Sequence, residues 1–245
     1  MDIRNSVAFV TGANRGIGKA FVAALQEAGA RKIYAAARDI ASLAEIHGQD
    51  SERIVPIALD VTDPNMIDEA AKRASDVTLL VNNAGVARFA GLIAESSLDA
   101  AHAEMEVNYF GTLAMIRAFA PALKANGGGA IVNLGSIASH VNFPVLGSYS
   151  ASKAAVHSLT QGVRAELDAQ GTRVLGVYPG PVDTDMAEPF DMPKAPPAQI
   201  AEAVLSAVSN GVDDVYPDEM ATDLRAQMIH DPAAVEKQIG QMLPA

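Results

Sequence analysis

Short apolar runs and amphipathic stretches alternate along the whole chain. The apolar runs fall at 6–11, 32–37, 54–59, 77–82, 130–134 and 173–178, with a short one near 214–216. They are continuous rather than alternating, which suits strands covered by helices on both faces. Helical periodicity fills the intervals at 17–28, 40–47, 64–75, 97–124, 149–169, 197–209 and 218–230. This β-α-β-α order predicts an α/β fold with a single doubly wound parallel sheet of about seven strands and helices on both faces. No linker, repeat or low-complexity stretch divides it, so 1–245 is read as one domain. The segment 183–197 is rich in Pro and Met and non-periodic. It is too long for an idle connection and is expected to be a substrate lid loop.

Composition narrows the function classes. Hydrophobic residues make up 49% of the chain and charged ones 19%. No apolar run reaches the ~18 residues of a membrane span. Met1-Asp2-Ile3-Arg4 runs straight into a strand without an h-region, so no signal peptide is expected and a cytoplasmic protein fits best. The absence of cysteine excludes disulfides, thiol catalysis and cysteine metal sites. A formal charge of −11 argues against nucleic acid or anionic membrane as a partner.

In a doubly wound sheet, ligands sit beyond the carboxyl ends of the strands. The first strand runs into Gly12-Ala13-Asn14-Arg15-Gly16-Ile17-Gly18 and then a helix. Unpaired N–H groups and the positive end of the helix dipole at such a turn favour a diphosphate, and the glycines let the backbone approach it. Asn82-Asn83-Ala84-Gly85, Gly135-Ser136 and Pro179-Gly180-Pro181-Val182-Asp183-Thr184 end three further strands on the same edge. Each alone is ordinary turn chemistry; together they converge on one site. In Tyr149-Ser150-Ala151-Ser152-Lys153 the i, i+4 spacing stacks an ammonium near a phenol on one helix face. The positive charge is expected to lower the phenol's pKa from its usual value near 10.

These motifs resemble those of the short-chain dehydrogenases/reductases of the compact, roughly 250-residue type, from about residue 6 to the end of the sheet. The matching residues are Thr11-Gly12-x-x-x-Gly16-Ile17-Gly18, Asn82-Asn83-Ala84-Gly85, Asn108, Ser136 thirteen residues before Tyr149, Tyr149-x-x-x-Lys153, and Pro179-Gly180. The resemblance implies a Rossmann-like fold. It also implies a catalytic set of Ser136, Tyr149 and Lys153, with Asn108 as a fourth member, that moves hydride between a nicotinamide and an alcohol or carbonyl. Ser136 would hydrogen-bond the carbonyl oxygen, Tyr149 would supply the proton, and Lys153 would also contact the nicotinamide ribose. For Asn108 it implies a helix distortion holding a water that links Lys153 to solvent.

The same resemblance assigns the cofactor-binding residues: Gly12, Asn14, Arg15, Gly16, Ile17 and Gly18 on the glycine loop; Asp60 and Val61 near the adenine; Asn82, Ala84 and Gly85 after the fourth strand. Tyr149, Lys153, Pro179, Gly180, Val182 and Thr184 complete it. The second strand ends Ala35-Ala36-Ala37-Arg38. Where an NAD enzyme usually places an acid, there is Ala37 followed by a guanidinium, with Arg15 on the same side. Two arginines suit a 2′-phosphate, so the cofactor expected is NADP(H) over NAD(H). Asp39 is the one residue that would suit NAD instead.

Ser136, Ile137, Val141, Phe143, Tyr149, Pro181, Met186, Phe190 and Met192 are expected to wall the substrate pocket. Their mostly apolar character favours a small ketone, aldehyde or secondary alcohol over an acidic metabolite. His140 reads as a loop histidine, and no metal site is expected. Two other functions use the same motifs: a ketoreductase for carrier-protein thioesters, and a nonenzymatic NADP-binding regulator. An acidic carrier would want a basic face, which a charge of −11 does not favour, while a regulator has no need of the intact Tyr149 and Lys153. An extended-branch epimerase would need a longer C-terminal half. The wide apolar arcs of 97–124 and 149–169, with the family's usual pairing of these helices, predict a homo-oligomer, a dimer or more often a tetramer.

Overall fold

Alternate residues of the first strand feed two separate cores. In β1 (Val7–Thr11), Ala8 and Val10 join one apolar cluster, and Val7 and Phe9 join another on the opposite face. The same division holds across the sheet, which is why its strands are apolar throughout. The computed structural model describes residues 1–93 and 97–244. Its other strands are β2 (Lys32–Ala37), β3 (Ile54–Ala58), β4 (Leu79–Asn82), β5 (Gly129–Leu134), β6 (Thr172–Val177) and β7 (Asp214–Val215). They pair in the order β3-β2-β1-β4-β5-β6-β7, every pair parallel. The order reverses between β1 and β4, and there a crevice opens at the carboxyl edge.

One face is covered by α1 (Gly16–Glu27) and α7 (Pro197–Asn210), through Phe21, Val22, Leu25, Ile200, Val204 and Val208. The short α2 (Ala44–Gln49) adds Ile46. The other face carries α3 (Pro64–Arg73), α5 (Thr112–Ala125) and α6 (Gly147–Leu167). Phe119 of α5 is fully buried against Phe9, with ring centroids 4.7 Å apart. Asp63 begins α3 by accepting from the N–H groups of Asn65 and Met66, with Pro64 at the first helical position. Among the described residues no helix is long and apolar enough to cross a membrane.

Three expected elements change. The segment 97–124 divides into α4 (Asp99–Glu104), a π-helical stretch at Met105–Gly111, and α5. The segment 40–47 begins as a 3₁₀ turn at Ile40–Leu43, because Asp39 caps it by accepting from the Ala41 N–H, and only then becomes α2. After α8 (Glu219–His230) comes an unexpected α9 (Pro232–Ile239), capped by Asp231. Leu224 of α8 and Val235 of α9 pack on Ile137 and Val141, so the C-terminal segment closes one end of the crevice.

Candidate active site

The glycine loop is stitched to the loop after β4. Thr11 Oγ1 accepts from the N–H groups of Asn83 (3.0 Å) and Ala84 (2.9 Å) and donates to the Val81 carbonyl (3.3 Å). Asn83 Nδ2 in turn donates to the carbonyls of Thr11 (2.9 Å) and Gly12 (3.1 Å). Gly12 and Gly16 take the left-handed conformation, with φ of +63° and +51°, which glycine adopts without strain. Gly18 has no room for a side chain, since a Cβ there would meet the Gly12 carbonyl and the Asn83 amide. Arg15 precedes α1 without a side-chain cap, and no acid sits in its first turn. The leading N–H groups of α1 therefore suit an anion.

A cavity of about 1270 Å³ runs along this edge of the sheet. It is lined by Gly12, Asn14, Arg15, Gly16, Ile17, Arg38, Asp60 and Val61. Ala84, Gly85, Ser136, Tyr149, Lys153, Pro179, Gly180, Val182 and Thr184 line it as well. Ile137, Phe143, Pro181, Met186, Phe190 and Met192 also face it. Most of the residues singled out from the sequence thus face the cavity, but a further stretch of its wall, including Met220, Leu224, Ile239 and Met242 of the C-terminal segment, was not among them.

Four expected positions lie elsewhere. Asn82 is buried between strands, where it faces Asn133 in register and donates to its Oδ1 (2.9 Å). Its own Oδ1 has no hydrogen-bond partner among the described residues. The next residue, Asn83, holds the loop instead. Gly18 lies beneath the loop rather than on the cavity. Val141 is taken up by the C-terminal core with Leu224 and Val235. Asn108 is also buried off the cavity. Its amide donates to the Val86 carbonyl (3.0 Å) and to Ser152 Oγ (2.9 Å), while its Oδ1 accepts from the Val86 N–H (2.9 Å). It does lie in the π-helical stretch, and its own carbonyl accepts from Thr112 Oγ1 (2.7 Å).

The two acids near the ribose end are engaged locally. Asp39 caps the 3₁₀ turn, as noted, and Asp60 accepts from the N–H and hydroxyl of Thr62 (2.9 and 2.8 Å). Arg15 meets Asp185 at 2.9 Å, but both are well exposed, and such surface pairs contribute little. Arg38 is exposed at the rim. Two features escaped the sequence reading. Asp218 caps α8 and accepts from the Gly180 N–H (2.8 Å), fixing the loop after β6. Phe89, at φ +54°, faces Phe190 across the cavity with ring centroids 5.5 Å apart. Asp218, just after Pro217 and before a helical run, carried a visible cap signal; Phe89 carried none.

Ser136 follows β5 by two residues and caps a short 3₁₀ turn at Ile137–Ser139, accepting from the Ala138 N–H (3.1 Å). Lys153 is buried and donates to the Leu134 carbonyl (2.7 Å), with its Nζ 5.6 Å from the Tyr149 ring centroid. Burial overturns the expected electrostatics. It pushes the Tyr149 phenol up to about 12, against a hydrogen bond from Ser136, with the charge of Glu104 adding to the rise. Burial also brings Lys153 down to about 8. The ammonium is spent on a main-chain carbonyl rather than on the phenol, so desolvation governs both groups. His140 is not on the cavity. It packs 4.7 Å from His157 and meets the Tyr216 hydroxyl at 3.2 Å, and burial, then His157, lowers its pKa to about 4. Among the described residues no cluster of three His, Asp or Glu is placed to hold a metal.

Residues 6–194 match the family model described as short chain dehydrogenase. An uncharacterised oxidoreductase of Staphylococcus aureus is 34% identical over 84% of this chain and 92% of its own length. A short chain dehydrogenase of Burkholderia cenocepacia, solved in complex with NADP, is 45% identical; it covers 98% of this chain and 99% of its own, with a TM-score of 0.93. A short chain dehydrogenase/reductase of Burkholderia phymatum, solved with NAD, is 25% identical with a TM-score of 0.83, covering 94% and 96%.

The depressed Lys153 has a consequence for stability. Its folded pKa, about 8, lies below the unfolded value of 10.5. Between these values the unfolded chain binds the extra proton, so this group's contribution improves as pH rises and is most unfavourable below about 8. Urea unfolding of the wild type and Lys153→Met tests this. From about pH 7.5 to about pH 9.5 the difference should move by about 2 kcal/mol in favour of the wild type. A pH-independent difference would mean that Lys153 titrates normally.

Proposed function

The chain belongs to the short-chain dehydrogenase family and is an oxidoreductase; on that premise we propose that it reduces small apolar ketones or aldehydes with NADPH. The observation that carries this is the grouping of half-buried Ser136 and Tyr149 with buried Lys153 on the wall of a largely apolar cavity. The residues present fit a phosphorylated dinucleotide. Gly12 and Gly16 shape a loop facing an uncapped α1, and Arg15 and Arg38 stand at the rim, while Asp39 and Asp60 are turned to local bonds. The NADP held by the Burkholderia cenocepacia relative supports the same choice.

When bound, a nicotinamide supplies the hydride that reaches the carbonyl carbon. Negative charge then develops on the carbonyl oxygen, and the chain's residues meet it. Ser136 Oγ donates a hydrogen bond to that oxygen. Tyr149, protonated throughout the neutral range, transfers its phenolic proton there as general acid. Lys153, bonded to the Leu134 carbonyl, acts on the phenolate left behind only through its charge, with its Nζ 5.6 Å from the Tyr149 ring centroid.

Phe89, Phe143, Leu146, Phe190, Met192 and Met242 supply the apolar wall beyond the reacting group. Segment 183–197 acts as a lid in this reading. Its stems are tied by a bridge between Val182 and Ala195, with the Asp183 N–H donating to the Ala195 carbonyl (2.9 Å), and Phe190 meets Phe89 opposite. Tyr149→Phe should cut turnover by about 10²–10⁴-fold while NADPH affinity stays within about threefold, since the diphosphate grip lies elsewhere. Retention of more than about a tenth of the wild-type rate would remove Tyr149 from its role.

A homo-oligomer completes the proposal. Leu98 and Phe110 remain 67% and 50% exposed along the helix that was expected to pair. Light scattering at micromolar protein should give a mass two or four times 25.5 kDa; the monomer mass would count against it.

A further inference from the structure

Glu104 is the most deeply buried acid among the described residues, and the proton transfer above does not use it. It ends α4, four residues before Asn108. Its Oε1 accepts from the Arg88 N–H (2.7 Å) and its Oε2 from Ser148 Oγ (2.5 Å). Asn108 makes the matching pair of links one turn on, to Val86 in the same loop and to Ser152 in the same helix. Ser148 and Ser152 are themselves four apart on α6, with Tyr149 between them. The two side chains thus form two rungs between the loop after β4 and the first turns of α6. That loop carries Gly85 and Phe89 to the cavity, and α6 carries Tyr149 and Lys153.

We propose that Glu104 is a positioning residue for the reduction, fixing the start of α6 and so the aim of the Tyr149 phenol at the substrate oxygen. The inference rests on the reductase reading for its kinetic consequence and on the hydrogen bonds alone for its structural one. The N-terminus of α6 has no side-chain cap and no acid in its first turn. The side chain of Glu104, reaching in from another element, bonds there, where the helix dipole favours negative charge. A free Ser148 would leave that turn to settle by itself. Misplacing a general acid by about 1 Å can lower the rate about a hundredfold. Both oxygens of Glu104 are engaged, so its hold on the position of Tyr149 passes through Ser148 and the loop, beside the charge that already raises the phenol's pKa.

The test uses the full chain with Ser148→Ala, Glu104→Ala and Glu104→Gln. Glutamine can keep both links, accepting from Arg88 and donating to Ser148 Oγ; the other two variants break the link to α6. The variants are compared by kcat, by NADPH affinity and by the Tyr149 signal in spectra of ¹³C-tyrosine-labelled protein without cofactor, which has five tyrosines to resolve. Ser148→Ala should lose about ten- to a hundredfold in kcat, with NADPH affinity within about threefold and the Tyr149 signal shifted or split. Glu104→Gln should hold kcat within about fivefold and leave that signal in place. The proposal is overturned if Ser148→Ala turns over at the wild-type rate with an unmoved Tyr149 signal, or if Glu104→Gln is no better than Glu104→Ala. It is also overturned if the loss in Glu104→Ala matches its fraction unable to bind NADPH. Should Glu104→Ala not fold, Ser148→Ala decides. The tyrosine spectrum needs no substrate, so it stands even if the reductase reading fails.

Discussion

An ammonium group held out of water is the constraint on which this site depends. Lys153 has a single hydrogen-bond partner among the described residues, the Leu134 carbonyl at the end of β5, and its burial opposes its charge. Removing a cation from water is costly unless the site gives it a fixed partner. The carboxyl edge of a parallel sheet provides such partners, because strand ends leave carbonyls pointing into the crevice. The Tyr149 phenol feels the same dry surroundings in the opposite sense and holds its proton. A proton donor and a cation side by side, both poorly solvated, suit a reaction that puts negative charge on an oxygen between them and Ser136.

Holding that arrangement falls to loops, which are otherwise the weakest parts of a fold. Each loop at the crevice is tied by a buried or half-buried polar side chain from a different element. Thr11 and Asn83 join the glycine loop to the loop after β4, Asn108 and Glu104 join that loop to α6, and Asp218 joins the loop after β6 to α8. The cross-ties let the sheet deliver rigid geometry to residues that lie beyond its last hydrogen bonds. The π-helical stretch at Met105–Gly111 begins directly after Glu104 and contains Asn108, the two residues that must both reach the same loop. π-bulges are frequent at functional sites.

The strands were legible because both faces of the sheet are covered, so each strand is an uninterrupted apolar run. The glycine loop and the Tyr149-x-x-x-Lys153 pair were legible because their chemistry forces spacing. What the sequence hid depends on tertiary contact. Asn82 and Asn83 look interchangeable in a row, yet Asn82 is the last residue of β4, held in register with Asn133, while Asn83 lies beyond the strand and is free to tie the loop. Val141 is apolar whether it meets substrate or α8, and only the packing of the C-terminal segment chose. The phenol's pKa was misjudged because i, i+4 spacing gives proximity but not burial. The cap of α9 at Asp231-Pro232 is written in the sequence as an acid followed by a proline at the first helical position. Nothing in the one-dimensional pattern marked Glu104 as buried among so many surface acids.

The central claim is direct hydride transfer from NADPH to a carbonyl carbon on this chain. It is tested most directly by isotope transfer. The purified protein is given equimolar NADPH, deuterated at the transferable C4 position, and unlabelled NADH, with an apolar ketone as acceptor. The account predicts an alcohol carrying deuterium on its carbinol carbon, formed with one hand in excess. An unlabelled alcohol, or no alcohol across a panel of apolar ketones and aldehydes, would contradict it.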